Sequence, residues 1–221
     1  MSKSPGRFIT LEGGEGVGKS TNLSFVHRYL LARGYSVVLT REPGGTPLAE
    51  TLRELLLRKS TEPLSHLTEL LLIFAARAQH LDQVIRPALA RGDWVLCDRF
   101  TDATYAYQGY GRGLGTELIA ELERLIHPHL QPDLTLLLDM DIELGLSRAR
   151  ERGEPDRIES EQQAFFEAVR AGYMALAEQN PGRFAIVDAS LPLESVQQAI
   201  QAHLDVLINQ SSARSNPCLK P

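Results

Sequence analysis

At 221 residues, 43% hydrophobic and 23% charged, the chain has material for one well-filled core and is short for two full domains. A formal net charge of −5 argues against a general nucleic-acid binder, yet it leaves room for local anion binding. The two cysteines, Cys97 and Cys218, lie far apart with no C-x-x-C pair, which argues against a disulfide framework and for a reducing cytoplasm.

Met1 to Gly6 are polar, without an apolar signal segment, and lead straight into Phe8-Ile9-Thr10-Leu11, which reads as a buried strand. That strand runs into Gly13-Gly14-Glu15-Gly16-Val17-Gly18-Lys19-Ser20, which satisfies G-x-x-x-x-G-K-[ST] and opens a helical stretch over 19–33. Glycines let the backbone curl so that several N–H groups face one phosphate chain, and the helix N-terminus adds a positive field. Lys19 is placed to reach the outer phosphates and the Ser20 hydroxyl to ligate Mg²⁺, so residues 13–20, with Thr21 after them, are the expected ATP cradle.

Further along, Ser36–Leu39 reads as a strand, 47–58 and 65–91 as helices and Trp94–Cys97 as a third strand. Asp98 then stands where a carboxylate would meet the metal of a bound nucleotide. Asp139, after the strand Leu134–Leu138, competes for that role, but Arg99 beside Asp98 favours Asp98. Helical patterns over 115–127, 142–152, 160–179 and 192–209, with a last strand at Phe184–Val187, complete an alternation that predicts a five-stranded parallel sheet with helices on both faces. The fold class expected is a three-layer α/β P-loop nucleotide-binding domain over 1–209, with a small lid at about 148–160. Residues 210–221 read as a disordered polar tail. No apolar run reaches the ~18 residues needed to span a membrane.

A phosphate loop leaves switch GTPases, motor ATPases and small-molecule kinases open. An N-K-x-D guanine-reading segment and a G-x-S-x-G elbow are absent, and the six histidines show no metal-ligand spacing. His127 and His129 flank Pro128 and read as surface loop residues. Three segments narrow the choice: Thr40-Arg41-Glu42-Pro43-Gly44-Gly45-Thr46, Asp98-Arg99-Phe100 and Thr104-Tyr105-Ala106-Tyr107-Gln108-Gly109. With them the sequence resembles the thymidylate kinases from about Phe8 to Leu207.

The resemblance implies ATP and dTMP as substrates, Mg²⁺ as the accompanying ion, no nucleic-acid or membrane partner, and a homodimer. It also implies roles. Glu15 would face the 3′-hydroxyl of the acceptor sugar, Arg53 and Arg99 would hold its 5′-phosphate, Thr104 and Gln108 would read the base, and Tyr107 would crowd the sugar's 2′ position. Phe74 and Arg77 resemble the pair that stacks on thymine and bonds its edge. The family spaces that pair four apart and here it is three, so Ile73 competes with Phe74 for the ring. The bacterial members supply a lid arginine, and the phosphate loop has no basic residue ahead of Lys19. Arg148, Arg150, Arg152 and Arg157 surround the Gly153-Glu154-Pro155 interruption, and Arg152 is the expected catalytic lid residue. From the residues alone, Phe74 could be core, Arg53 a solvated partner of Glu50 and Glu54, and the lid arginines a charged surface neutralised by Glu151, Glu154, Asp156 and Glu159.

Overall fold

The computed structural model of the protein describes residues 6–151 and 154–214. Five strands, β1 (Phe8–Glu12), β2 (Val37–Arg41), β3 (Trp94–Asp98), β4 (Leu134–Asp139) and β5 (Phe184–Asp188), form one parallel sheet in the order β2-β3-β1-β4-β5. Side chains alternate between its faces. Ile9, Leu11, Trp94, Leu96, Leu136 and Leu138 meet Val26 and Leu30 of α1 (Lys19–Ala32) and Ile200 and Leu204 of α9 (Leu193–Arg214). On the other face, Phe8, Val95 and Cys97 meet Leu81, Ile85 and Ala88. Leu137 joins Phe166, Val169 and Tyr173 of α8 (Gln163–Gln179). Each fully buried Val, Leu, Ile or Phe among them contributes about 1.5–3 kcal/mol.

Adjoining strands place Leu11 and Arg41 beside Asp98, so the carboxyl ends of β1, β2 and β3 lie together. β1 has β3 on one side and β4 on the other, and its outgoing loop opens at the point where successive connections diverge, the usual ligand crevice of such sheets.

The expected helix over 65–91 is three pieces: α3 (His66–His80), a π-helical turn (Leu81–Ile85) and α4 (Arg86–Ala90). Pro87 lacks the N–H that a continuous helix needs and its ring crowds the carbonyl four residues back, so the ladder widens just before it. Residues 101–111, read from sequence only as a segment, are helical: α5 (Thr101–Thr104) runs into a π-helical stretch (Tyr105–Gly111). Gly111 explains how that stretch lies against α8, since a Cβ there would come within 2.6 Å of the Phe165 ring. α2 (Pro47–Leu57), α6 (Thr116–Ile126) and α7 (Ile142–Arg150) fall close to expectation. α9 continues to Arg214, so the first residues assigned to the tail extend a helix instead. His127 is also corrected: it is buried, with Thr101 Oγ1 2.9 Å from Nε2 and the Leu130 carbonyl 3.2 Å from Nδ1.

Candidate active site

α2, α3 and α7 begin with side-chain caps from Thr46, Ser65 and Asp141. α1 begins instead at Gly18, whose left-handed backbone gives no side-chain cap, so its first N–H groups stay open toward a ligand. Gly13, Gly16 and Gly18 all take positive φ in the loop that leads there. At Gly16 the space is decisive: a Cβ would lie 1.8 Å from the carbonyl oxygen of Gly145, so α7 rests directly on the phosphate loop.

Lys19 folds back across that loop and donates to the carbonyls of Gly13 (3.1 Å) and Gly14 (2.6 Å). Burial, then the neighbouring Arg99 charge, lower its pKa to about 8. A phosphate chain would supply the negative charge this ammonium lacks. Ser20 stands beside it on the lip of the cleft, whereas Thr21 is exposed and lies outside the lining.

Asp98 Oδ1 is buried without a hydrogen-bond partner among the described residues. Asp139 is occupied, since Arg170 donates to both of its oxygens at 2.7 Å. A hard cation beside the phosphates fits the first carboxylate and has no free one at the second.

Arg99 is the one described non-glycine residue with a left-handed backbone, φ 66°, a conformation that costs about 1–3 kcal/mol and persists where surroundings enforce it. Its guanidinium donates to Glu15 Oε1 (2.7 Å), the Gly13 carbonyl (2.8 Å) and Tyr173 Oη (3.2 Å), and lies over the Tyr107 ring. The Tyr107 hydroxyl donates to the same Glu15 oxygen at 2.8 Å.

The phosphate loop shares one cleft of about 240 Å³ with Arg53, Ile73, Arg77, Asp98, Arg99, Thr104, Tyr107 and Gln108. Glu50 is taken by Arg41 and the Gly45 N–H, so Arg53 is not a solvated partner of it; Arg53 donates to the Pro43 carbonyl at 2.9 Å. Buried Arg77 is aimed by three neighbours. Nε donates to Glu42 Oε2 (2.7 Å), and one terminal nitrogen to Thr104 Oγ1 (2.8 Å) and the Phe100 carbonyl (3.3 Å). Its other terminal nitrogen, Nη1, has no partner among the described residues. Burial raises the Glu42 pKa, but Arg77 and His80 overcome that and hold its carboxyl below the usual range.

Phe74 does not line the cleft. It packs with Leu70 and Ile119 beneath the Arg77 guanidinium, and Ile73 takes the lining position. With Arg77 facing the cleft, the residue four earlier shares its side of α3 and the residue three earlier falls on the core side here.

Arg152 and Gly153 lie outside the described residues. Arg148 turns away from the cleft, donating to the Ala189 carbonyl at 3.3 Å. Arg157 enters the lining with Asp156, Ile158 and Glu159, and it pairs with Glu69 of α3 at 2.7 Å rather than with an acid of its own loop. Glu42, Glu69 and Arg157 were missed as site residues. Glu42 sits inside the R-E-P-G-G string and could have been suspected. Glu69 reads as an ordinary first-turn acid answering the helix dipole, so nothing in the sequence singles it out.

Residues 11–200 match the family model described as thymidylate kinase. The chain belongs to the thymidylate kinase family. It is 61% identical over 203 residues to a thymidylate kinase of Teredinibacter turnerae, covering 92% of this chain and 99% of that protein. A thymidylate kinase of Chromohalobacter salexigens is 65% identical over 202 residues, or 90% of this chain and 95% of the relative. Among solved structures, thymidylate kinase from Ehrlichia chaffeensis superposes with a TM-score of 0.73 at 36% identity, over 91% of this chain and 99% of that one. The five-stranded parallel sheet with its surrounding helices is therefore that of a thymidylate kinase P-loop fold, as the sequence implied. Among the described residues no helix is long and apolar enough to cross a membrane.

Proposed function

We propose that the chain transfers the γ-phosphate of ATP to dTMP, giving dTDP and ADP. The observation that carries this is a single cleft joining an uncapped, lysine-bearing phosphate loop to a second set of cations, Arg53 and Arg99, near Arg77 and Gln108. A phosphate donor at the loop and a phosphate-bearing acceptor opposite it use both sets; a nucleoside acceptor would leave Arg53 and Arg99 without a purpose.

In this reading the open N–H groups of α1 and Lys19 hold the donor phosphates. Arg53 and Arg99 fix the acceptor phosphate so that its oxygen attacks the γ-phosphorus in line while the bond to the β-phosphate oxygen breaks. Positioning and charge neutralisation carry the rate, with little covalent work for the protein. Ser20 and Asp98 would hold Mg²⁺, which when bound neutralises charge on the phosphate chain. Glu15 meets the sugar 3′-hydroxyl, Tyr107 its 2′ face, and Ile73 the base ring. Arg77 and Gln108 bond the base edge, with Thr104 acting through Arg77. Arg152 would bring positive charge over the migrating group. A cytoplasmic homodimer completes the reading; Cys97 is a buried free thiol, in keeping with a reducing compartment.

The test is an acceptor screen with ATP and Mg²⁺: dTMP, dUMP, dCMP, dGMP and thymidine. Rapid dTDP formation with no phosphorylation of thymidine is expected. Preference for thymidine or for a purine monophosphate would overturn the reading.

A further inference from the structure

Glu69 sits on the first turn of α3 with a fully buried carboxylate. Its Oε1 receives Gln108 Nε2 at 2.7 Å, Arg112 donates to both oxygens at 3.2 and 3.3 Å, and Arg157 approaches Oε2 at 2.7 Å. No step proposed above uses it. We propose that Glu69 is a positioning residue that fixes which side of the Gln108 carboxamide meets the base, so that the site accepts a thymine edge and rejects a cytosine edge.

The orientation follows from chemistry. An ionised carboxylate only accepts hydrogen bonds, so the side of Gln108 that faces it must be the NH₂. The carbonyl oxygen lies on the other side of the amide carbon, and in the proposed orientation it is the group that Gln108 turns toward the base in the cleft it lines. Arg77 adds a donor, the buried Nη1 that has no partner among the described residues. One acceptor and one donor match the N3–H and O4 of thymine. Cytosine presents the reverse, an unprotonated N3 and an amino group, and would meet like against like at both positions. A buried polar group left facing its own kind is what lets a site reject an analogue strongly.

Glu69 must stay ionised for this to work, since a protonated carboxyl could donate to the amide oxygen and turn Gln108 around. Arg112 and Arg157 supply the compensating charge. Glu161 in turn engages Arg112 at 2.6 Å, so the four charges sum to zero. Arg157 belongs to the lid segment, so base reading and lid seating share one carboxylate.

The inference rests on the cleft being a dTMP site, and the experiment separates the two. kcat/KM is measured for dTMP and dCMP in the wild type, Glu69→Gln, Gln108→Ala and the double variant. A wild type with no preference for dTMP over dCMP sinks the dTMP reading itself. If that preference stands, Glu69→Gln frees the amide to rotate, and the dTMP-to-dCMP ratio should fall by about tenfold or more. In the Gln108→Ala background the same change should leave the ratio unmoved, because Glu69 acts through Gln108. Equal loss on both substrates, or the same loss of ratio in both backgrounds, would make Glu69 a structural ion-pair residue only and overturn the proposal. The wild-type protein gives a reading that needs no variant, even if Glu69→Gln does not fold. By NMR, the Gln108 side-chain NH₂ should remain protected from exchange when dTMP binds; loss of that protection would show the amide turning and overturn the proposal.

Discussion

Tyr107 combines two physical roles that substitution separates. Its ring packs edge-on against Phe165 and Tyr173, while its hydroxyl donates to Glu15. In the proposed placement against C2′ of the acceptor sugar, the ring would leave no space for a hydroxyl, so ribo-TMP should be a far poorer acceptor than dTMP. That discrimination should exceed the ~1–3 kcal/mol set by the missing methyl of dUMP. Tyr107→Phe should lower kcat/KM through a looser Glu15 yet keep the deoxy preference, and Tyr107→Ala should erode it. Equal use of ribo-TMP and dTMP by the wild type would remove the ring from the sugar's surroundings. Glu12 behaves differently. It is buried beneath the phosphate loop, accepting from the Phe100 N–H and Tyr173 Oη, and burial, then Asp102, raise its pKa to about 8. The folded chain keeps this proton to higher pH than the unfolded chain does. The stability tied to it is therefore complete below the ordinary carboxylate range and is lost as pH rises toward about 8. Glu12→Gln cannot ionise, so its melting temperature relative to wild type should climb between about pH 5 and about pH 8.5. Parallel curves would show that Glu12 titrates in the usual range. At this scale the sequence is legible where a motif dictates geometry: Lys19, Asp98 and Arg99 lie where their strings put them. It leaves the choice open where only packing decides, as between Phe74 and Ile73, because one step along a helix turns a side chain by about 100° and either residue satisfies an apolar pattern.

The elements repeat that lesson in a different currency. Apolar runs bounded by turns gave every strand to within a residue or two: the central strands β1, β3 and β4 are buried on both faces and so largely apolar, and the part-exposed edge strands β2 and β5 still carry short apolar runs. The helical run 101–111 escaped because Thr101, Thr104, Tyr105, Gly109 and Gly111 are weak helix formers, and contacts with α8 override that preference. The segment proposed as the lid divides its described arginines by what each element can reach. Arg148, on α7, is committed to the Ala189 carbonyl and Met140 sulfur, and Arg157 is latched to Glu69 and to the Leu56 carbonyl. Arg152 follows α7 at the start of the interruption. Arg152→Ala should therefore lower kcat by about a hundredfold with a much smaller change in the KM for dTMP, as expected of a charge that acts in the transition state. Arg148→Ala should change kcat by less than about threefold, since it removes a contact outside the cleft. Steady-state kinetics of both variants decide it: damage at Arg148 with silence at Arg152 would place the lid register one turn too late.

For the whole molecule, the alternation of strands and helices was enough to specify a doubly covered parallel sheet, because short βα connections and burial on both faces leave few other arrangements. Association is less legible, since one chain's surface does not name what covers it. α3 is the element where the two questions meet. Ile73 and Arg77 line the cleft, whereas Leu67 and Leu71, one turn apart, are each 49% exposed. Large apolar side chains left half in water over successive turns of one helix are a natural seam for a second copy, and the homodimer proposed above gives them a partner. On that account the wild type should sediment at twice the 24.5 kDa chain mass at micromolar concentration. A Leu67→Glu, Leu71→Glu double variant should sediment as a single chain while keeping its far-ultraviolet circular dichroism. Because α3 would lose its outer support while still carrying Arg77, the KM for dTMP should rise in that variant more than the KM for ATP, whose phosphates sit on α1. A wild type that sediments as one chain would remove the dimer. A dimer that survives both substitutions would move the interface off this face of α3.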